Sequence, residues 1–363
     1  MRVEELHYEL PEQLVAQVPV EPRDAARLMV ARSGAAGPEH ARVRDLPAHL
    51  EPGDLVVVNS TRVLPARVRI ARPGGGAGEV LLLEDRGDGW WEALCRPSRK
   101  LPEGTHHGSI GGHLAFEMGA ELGAGRRLVR PEVTAVRPAT RMGHDESDLL
   151  AALESDGEVP LPPYLHEQLE DPERYQTVFA RRPASAAAPT AGLHLTPAVL
   201  AALSERGVRV ATVELVVGLD TFRPFFFNDT ATTEIYTEHY QVPEETWHEV
   251  GTTHVRGNSV VAVGTTTTRA LESVTHTGDL AGRTGLFITP GFEFRVVDRL
   301  MTNFHLPRSS LLAMVEAFAG PVWRELYRLG VEQGYRFLSF GDAMLLDPAT
   351  TGADPATTGG ADT

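Results

Sequence analysis

The order of apolar and polar positions divides the chain into stretches of different texture. The opening, LHYELPEQLVAQVPVEPRDAARLMV, reads as an extended entry, a short helix around Pro11 to Gln17, and a strand beginning near Arg27. In EPGDLVVVNSTRVLPARVRI a Pro-Gly turn feeds the β-branched run Leu55 to Val58, so Asn59, Ser60, Thr61 and Arg62 fall at the carboxyl end of a second strand. From about Arg67 to Val136 short alternating apolar segments are separated by glycines, as in PGGGAGEVLLL, GDGWWEALCRP and GSIGGHLAFEM. This pattern predicts an antiparallel β-domain inserted into a larger one. The run Gly74, Gly75, Gly76 lacks the GK[ST] ending of a phosphate cradle and lies between strand-like runs, so a hairpin is the expectation there.

Helical periodicity returns at Glu146 to Leu153 and at Pro197 to Glu205, with Gly207 as a stop. Strands at Val208 to Val217 and Ser259 to Val263 then alternate with helices near Thr268 to Val274 and Ser309 to Ala319, the signature of an α/β domain with parallel strand pairs. The tail DPATTGADPATTGGADT is an imperfect repeat of small polar residues and reads as disordered. The expected divisions are 1–66 and 151–347 for an α/β domain in two parts, 67–150 for the inserted β-domain, and 348–363 for the tail.

A length of 363 residues and 42% apolar content suit such a two-part globular chain. Apolar stretches fall far short of the roughly 20 residues of a membrane helix, and the N-terminus is acidic where a secretory signal is basic, so a cytoplasmic location is expected. Cys95 is the sole cysteine, which rules out an internal disulfide and a multi-cysteine zinc site. A formal charge of −15 disfavours indiscriminate nucleic-acid binding. Local basic groups remain at Arg62, Arg67, Arg69 and Arg72, at Arg96, Arg99 and Lys100, and at Arg126, Arg127 and Arg130. Arginine stacks on bases and grips phosphate with paired donors, although codon bias in a GC-rich genome yields the same preference.

Three segments carry candidate chemistry. In SAAAPTAGLHLTPAVL small residues permit close backbone approach, Pro189 fixes a turn, and Thr190, Gly192 and His194 precede a helix starting near Thr196. In VVAVGTTTTRALESV a strand leads into Gly264, Thr265 and Thr266, then into a helix whose Arg269 and Glu272 share a face. Loops after strands of α/β sheets are where ligands bind. A salt bridge between Arg269 and Glu272 is the plainer alternative. In RLMTNFHLPRSSLLAMVEAFAG the polar pair Asn303 and His305 offers donors and acceptors to a purine or ribose, and Ser309 suits a helix cap. YRFLSFGDAMLL sets Tyr335, Phe337 and Phe340 beside Asp342, an arrangement that suits either a cationic ligand or plain core packing.

Together these stretches, with PLPPYL and ERYQTVFA, make the chain resemble the S-adenosylmethionine:tRNA ribosyltransferase-isomerase family up to about Asp347. The resemblance implies a barrel-like α/β catalytic domain with an inserted small antiparallel β-barrel. It implies transfer and isomerisation of the ribosyl group of S-adenosylmethionine onto 7-aminomethyl-7-deazaguanine at the tRNA wobble position, giving epoxyqueuosine with release of adenine and methionine. S-adenosylmethionine is then a co-substrate, and neither a metal nor a redox cofactor is expected. On this footing His194 is expected to transfer a proton, a task that suits a base poised near neutrality. Glu272 or Asp342 is expected to meet the positive charges of the substrates, and Asn59, Arg62, Thr190, Gly192, Thr265, Thr266, Arg269, Asn303 and His305 to bind substrate.

The chain departs from the family pattern at Val216, where a histidine is usual, and across FFFNDTATTEIYT, Phe225 to Thr237, which replaces an acidic, histidine-bearing segment. That stretch has the character of a translated sequencing-adapter fragment. A catalytically impaired tRNA-binding homologue is therefore the leading alternative. An S-adenosylmethionine-dependent RNA methyltransferase is weaker, because no early strand leads into a glycine-rich dinucleotide-type turn.

Overall fold

The computed structural model describes residues 2–72, 75–123, 125–134, 146–167, 169–217 and 237–349. The departures between 225 and 236 and most of the tail lie outside them. The strands before the first long helix are β1 (Arg27–Ala31), β2 (Glu39–Arg42), β3 (Leu55–Asn59), β4 (Thr61–Val63), β5 (Arg67–Ala71), β6 (Ala77–Gly87), β7 (Trp90–Arg96), β8 (His106–Gly108), β9 (Leu114–Gly123) and β10 (Arg126–Val133). Then come α1 (Glu146–Asp156), β11 (Gly157–Glu158), β12 (Arg182–Ser185), α2 (Pro197–Glu205), β13 (Arg209–Leu215), β14 (Glu238–Gln241), α3 (Glu244–Val255), β15 (Val260–Val263) and α4 (Thr265–Thr277). The chain continues with β16 (Ala281–Thr284), β17 (Arg299–Asn303), α5 (Ser310–Ala319), α6 (Trp323–Glu332) and β18 (Ala343–Leu346).

The described residues within Met1–Ser60, Pro189–Leu215 and Arg223–Thr363 form one compact unit, and those within Thr61–Ala188 and Val216–Phe222 form a second. The first unit is mixed α/β. Its nine-stranded sheet has the order β16-β14-β13-β3-β15-β17-β18-β1-β2, and β13, β3, β15 and β17 run parallel at its centre. Of these, β3, β15 and β17 read LVVVN, VVAV and RLMTN and are buried at every position, as parallel strands covered on both faces must be, while β13 is only partly buried. Asn59 pairs with Val213, Val58 with Val263, Val263 with Met301, and Asn303 with Ala343, so the chain leaves β3, β15 and β17 at one edge, where β18 and β1 begin.

Local chemistry explains three helix starts. Thr196 caps α2 by accepting from the Val199 N–H at 3.3 Å, with Pro197 at the first helical position, and Ser309 caps α5 through the Leu312 N–H at 3.2 Å. Helix α4 begins three residues before the expected Thr268. The Thr267 and Thr268 hydroxyls donate to the Val263 and Gly264 carbonyls at 2.7 and 3.2 Å, which lets β-branched residues enter the first turn with their hydroxyls satisfied. Near the N-terminus the expected helix shrinks to one 3-10 turn, Glu12–Leu14, because Pro11 starts it and Val15 leaves it to bridge with Phe337. Helices α3 and α6 had no expectation at all. Tyr335 and Phe337 pack with Phe304, Tyr327 and Tyr8 in one aromatic cluster, and the Arg27 guanidinium sits 3.5 Å over the Tyr335 ring. The aromatics near Asp342 therefore serve the core, and a protein cation covers one face of the Tyr335 ring.

The second unit carries an antiparallel seven-stranded sheet in the order β11-β5-β6-β7-β10-β9-β8, plus a parallel pair of β12 with β4. The hairpin of β5 with β6 flanks the glycine run as expected. Alternate residues of these strands, among them Val68, Ile70, Val80, Leu82, Ala93, Phe116, Met118 and Val129, build a core that Leu153 of α1 completes. Cys95 lies inside it, and burial pushes its thiol up to about 12, so it is inert packing. Residues 151–188 belong with this unit rather than with the parallel sheet.

Candidate functional site

The polar residues of the first unit gather at the edge where the parallel strands end. Asn59 closes β3. Its amide donates to the Leu215 carbonyl at 2.9 Å and accepts the Leu215 N–H at 3.3 Å, copying a peptide group and prolonging the ladder with β13. The same nitrogen lies 3.4 Å from the Thr266 hydroxyl. Beyond β15, Gly264 takes φ +94, a conformation that L side chains avoid, and turns the strand directly into α4. The first peptide N–H groups of that helix and the Thr265 and Thr266 side chains therefore stand at the edge, where a helix N-terminus receives negative charge.

The third strand end supplies the densest bonding. Asn303 accepts from the Thr190 hydroxyl at 3.0 Å, meets His194 Nε2 at 3.0 Å, and places its nitrogen 3.4 Å from the Asp342 carbonyl. Thr190 and His194 reach it together because Thr190–His194 is a single 3-10 turn behind Pro189, with Gly192 buried at its middle. A Cβ on Gly264 would stand 3.6 Å from Ala191 of the same turn, so this turn and the start of α4 are neighbours. Asn59, Thr190, Gly192, His194, Thr265, Thr266 and Asn303 thus share one edge of the sheet.

Other expected site residues are occupied elsewhere. Glu272 is fully buried, and its carboxylate accepts the N–H groups of Arg295, Val296 and Val297 at 3.1, 3.0 and 3.0 Å. Burial raises its pKa and these amides oppose the rise. Arg269 does not pair with it. Its guanidinium binds Glu238 at the start of β14 and the Leu286 carbonyl at 3.1 Å. Asp342 accepts from the Arg27 and Arg336 amides at 2.8 Å each, and burial raises its pKa against those bonds. His305 is held by three contacts: Nε2 lies 2.9 Å from the Thr302 hydroxyl, its N–H donates to Tyr327 at 3.0 Å, and its carbonyl accepts from Tyr8. Burial holds its pKa down to about 3, so the ring is neutral. Arg62 belongs to the second unit and pairs there with Glu173.

Sequence reasoning gave no site role to Glu238, Thr302 or Tyr8. The signal for Glu238 was an acidic residue at a strand start, available to an arginine that lacked a carboxylate on its own helix. Among the described residues no group of three or more His, Cys, Asp or Glu side chains could hold a metal ion.

A sequence model of the family described as Queuosine biosynthesis protein matches residues 3–346. The chain belongs to this queuosine-biosynthesis family. Relatives named S-adenosylmethionine:tRNA ribosyltransferase-isomerase include one from Rubrobacter xylanophilus, 50% identical over 347 residues and covering 95% of this chain and 98% of that one. Another, from Thermus thermophilus, is 47% identical over 350 residues, covering 95% and 99%. The crystal structure of an S-adenosylmethionine tRNA ribosyltransferase from Thermotoga maritima is also similar, with a TM-score of 0.53 at 37% identity and coverage of 94% of this chain and 99% of that one. The strand-end cluster is thus carried by a member of the queuosine-biosynthesis family along nearly its full length.

Proposed function

We propose that the strand-end cluster binds S-adenosylmethionine and carries transfer and isomerisation of its ribosyl group onto 7-aminomethyl-7-deazaguanine at the tRNA wobble position. Epoxyqueuosine is the tRNA product, with adenine and methionine released. The observation that carries this reading is the bonded set Thr190, Asn303 and His194 beside the N-terminus of α4, in a chain 50% identical to a named ribosyltransferase-isomerase. A sulfonium acidifies the neighbouring C5′ hydrogens. Loss of one as a proton opens the rearrangement of the ribose, in which the bond to adenine breaks; the aminomethyl nitrogen of the base forms the new bond to the ribosyl carbon skeleton and gives up a proton, and a ribose oxygen closes the epoxide as the carbon–sulfur bond breaks and methionine leaves as a neutral thioether.

In this reading His194 handles the proton. Thr265 and Thr266 receive the ribose or the methionine carboxylate at the helix N-terminus. Asn59 and Asn303 fix the hydroxyl-rich part of the ligand, and Arg269, held by Glu238, sets the rim on that side. Glu272, Asp342 and His305 act as supports that hold the strand ends in place. Arg62 and the exposed Arg96, Arg99 and Lys100 of the second unit serve RNA phosphates.

The same reading takes the larger unit as barrel-like and the smaller as a closed barrel. The latter is supported by the bridge of Ile70 with Ser109 and by the Ile110 N–H to Arg69 carbonyl bond of 2.9 Å, which join β5 to the end of β8. The location is taken to be the cytoplasm. No described helix is long and apolar enough to cross a membrane.

Incubation with S-adenosylmethionine and tRNA bearing 7-aminomethyl-7-deazaguanine tests the function, with adenine and the modified nucleoside as products. A second reading, an impaired tRNA-binding homologue, is favoured by Val216 standing where a histidine is usual. Tight tRNA binding without adenine release would select it, and adenosylhomocysteine with methylated RNA would select a methyltransferase.

A further inference from the structure

Asn303 occupies an unusual position in the cluster, because each side of its amide faces a group with its own demand. The nitrogen faces His194 Nε2 at 3.0 Å and the Asp342 carbonyl at 3.4 Å. The oxygen faces the Thr190 hydroxyl at 3.0 Å. A backbone carbonyl only accepts, so it demands the NH2 side, and the hydroxyl then donates to the amide oxygen. Turning the amide over would set its oxygen against the Asp342 carbonyl and place two acceptors together in a buried site. With the NH2 group fixed on that side, the remaining hydrogen points at Nε2, which must then offer a lone pair.

We propose that Asn303 is a positioning residue that locks the tautomer of His194, keeping the ring neutral with its proton on Nδ1. The ring in this state accepts at Nε2 from Asn303 and donates a hydrogen bond from Nδ1. It takes no proton at either nitrogen. The proton-handling role of His194, on which the consequence for turnover rests, then requires the Asn303 amide to turn over, so that Oδ1 accepts from Nε2–H and a lone pair appears on Nδ1. Thr190 and the Asp342 carbonyl oppose that reversal, so the three residues together decide when His194 acts as a base.

The test reads the ring directly. Long-range proton–nitrogen correlation spectra of the full chain, labelled at its 14 histidines and with the His194 signals identified by their loss in His194→Gln, report which ring nitrogen is protonated. The wild type is expected to show the proton on Nδ1. Asn303→Asp, which can only accept, is expected to move it to Nε2. Thr190→Val, a second variant of nearly the same shape, is expected to give a mixture of the two. A wild-type ring protonated on Nε2, or an Asn303→Asp ring still protonated on Nδ1 alone, overturns the lock. The same Asn303→Asp protein is expected to shift the acid limb of kcat/KM for adenine release by at least about one pH unit. The expected spectra with an unmoved limb would support the lock and overturn the proton-handling role.

Discussion

Two clusters, each with a hydroxyl side chain and an imidazole, behave in opposite ways. In the second unit Ser109, His113 and Asp156 form a set that resembles a catalytic arrangement on paper. His113 Nδ1 lies 2.6 Å from the Asp156 carboxylate, its N–H bonds the same group at 2.8 Å, and Ser109 also bonds it. Serine and histidine both turn to the carboxylate and away from any nucleophile–base bond, and the Asp156 side chain is fully buried at the end of α1. Burial pushes the Asp156 carboxyl up, but the Ser109 and His113 bonds outweigh it and hold the group below its ordinary value. This set is a clasp between a loop of the antiparallel sheet and a helix. At the strand ends of the first unit, Asn59, Thr266, Asn303 and the turn that carries both Thr190 and His194 come together at one edge of a parallel sheet, and they bond through amide, imidazole and hydroxyl groups that can exchange roles. The presence of catalytic residue types does not mark a site. What marks it is convergence at strand ends with bonding that a ligand can replace.

The sharpest way to break this contrast is to delete a member of each cluster. Asn303→Leu is expected to slow adenine release per folded molecule by about 100-fold or more, whereas Asp156→Ala is expected to leave the rate per folded molecule unchanged. Equal losses of rate in the two variants would erase the distinction.

The supports come next in size. Glu272→Ala leaves the amides of Arg295, Val296 and Val297 without their acceptor and is expected to cost about 3 kcal/mol in a denaturant titration. Turnover of the folded fraction should hold within a few-fold. A stable variant with abolished turnover would instead move Glu272 into the chemistry.

His305 gives a pH-dependent version of the same test. The unfolded ring takes up a proton near its ordinary value of 6.5, while the folded ring resists until about 3. Its contribution to stability is therefore complete above the unfolded value and is lost as pH falls toward 3, at about 1.4 kcal/mol per pH unit. Glu272 and Asp342, with raised pKa values, run the opposite way and contribute more as pH falls. The difference between wild type and His305→Gln isolates the ring: about 2 kcal/mol less loss is expected in the variant between pH 6.5 and 5. Parallel stability curves would show that His305 is not held neutral.

The smallest effect expected is on RNA. Several arginines of the second unit are matched by acids, Arg67 with Glu79, Arg69 with Glu158, Arg126 with Glu92 and Arg130 with Glu117, while Arg96, Arg99 and Lys100 are exposed. Arg99→Ala with Lys100→Ala is expected to weaken tRNA binding several-fold and to flatten its dependence on salt, both read by filter retention. An unchanged salt slope would remove this face from the RNA path.

Part of the parallel sheet was legible in the sequence because β3 and β15 are nearly continuous β-branched runs, and Leu55 to Val58 needed no tertiary information. Asn59, Thr190, His194 and Asn303 were legible as polar residues after strands or before a helix. What the sequence hid were partners. Arg269 and Glu272 share a helix face, yet each bonds a different distant segment, since Glu238 and the Arg295 to Val297 amides are far away in the chain. The aromatic run near Asp342 had two readings that only packing separates. Helix α3, ETWHEVGTTHV after its first residue, was missed because a glycine and three threonines dilute its apolar stripe.

The acidic, histidine-bearing pattern that Phe225 to Thr237 replaces is expected to reappear when the locus is read again from independent genomic DNA, and recovery of the same codons would contradict that. The central claim, that the strand-end cluster is where the ribosyl group is transferred, is tested most directly by single-turnover adenine release in His194→Ala against the wild type, at matched folding. The account predicts a rate at least about 100-fold lower with tRNA binding retained. An unchanged rate would contradict it.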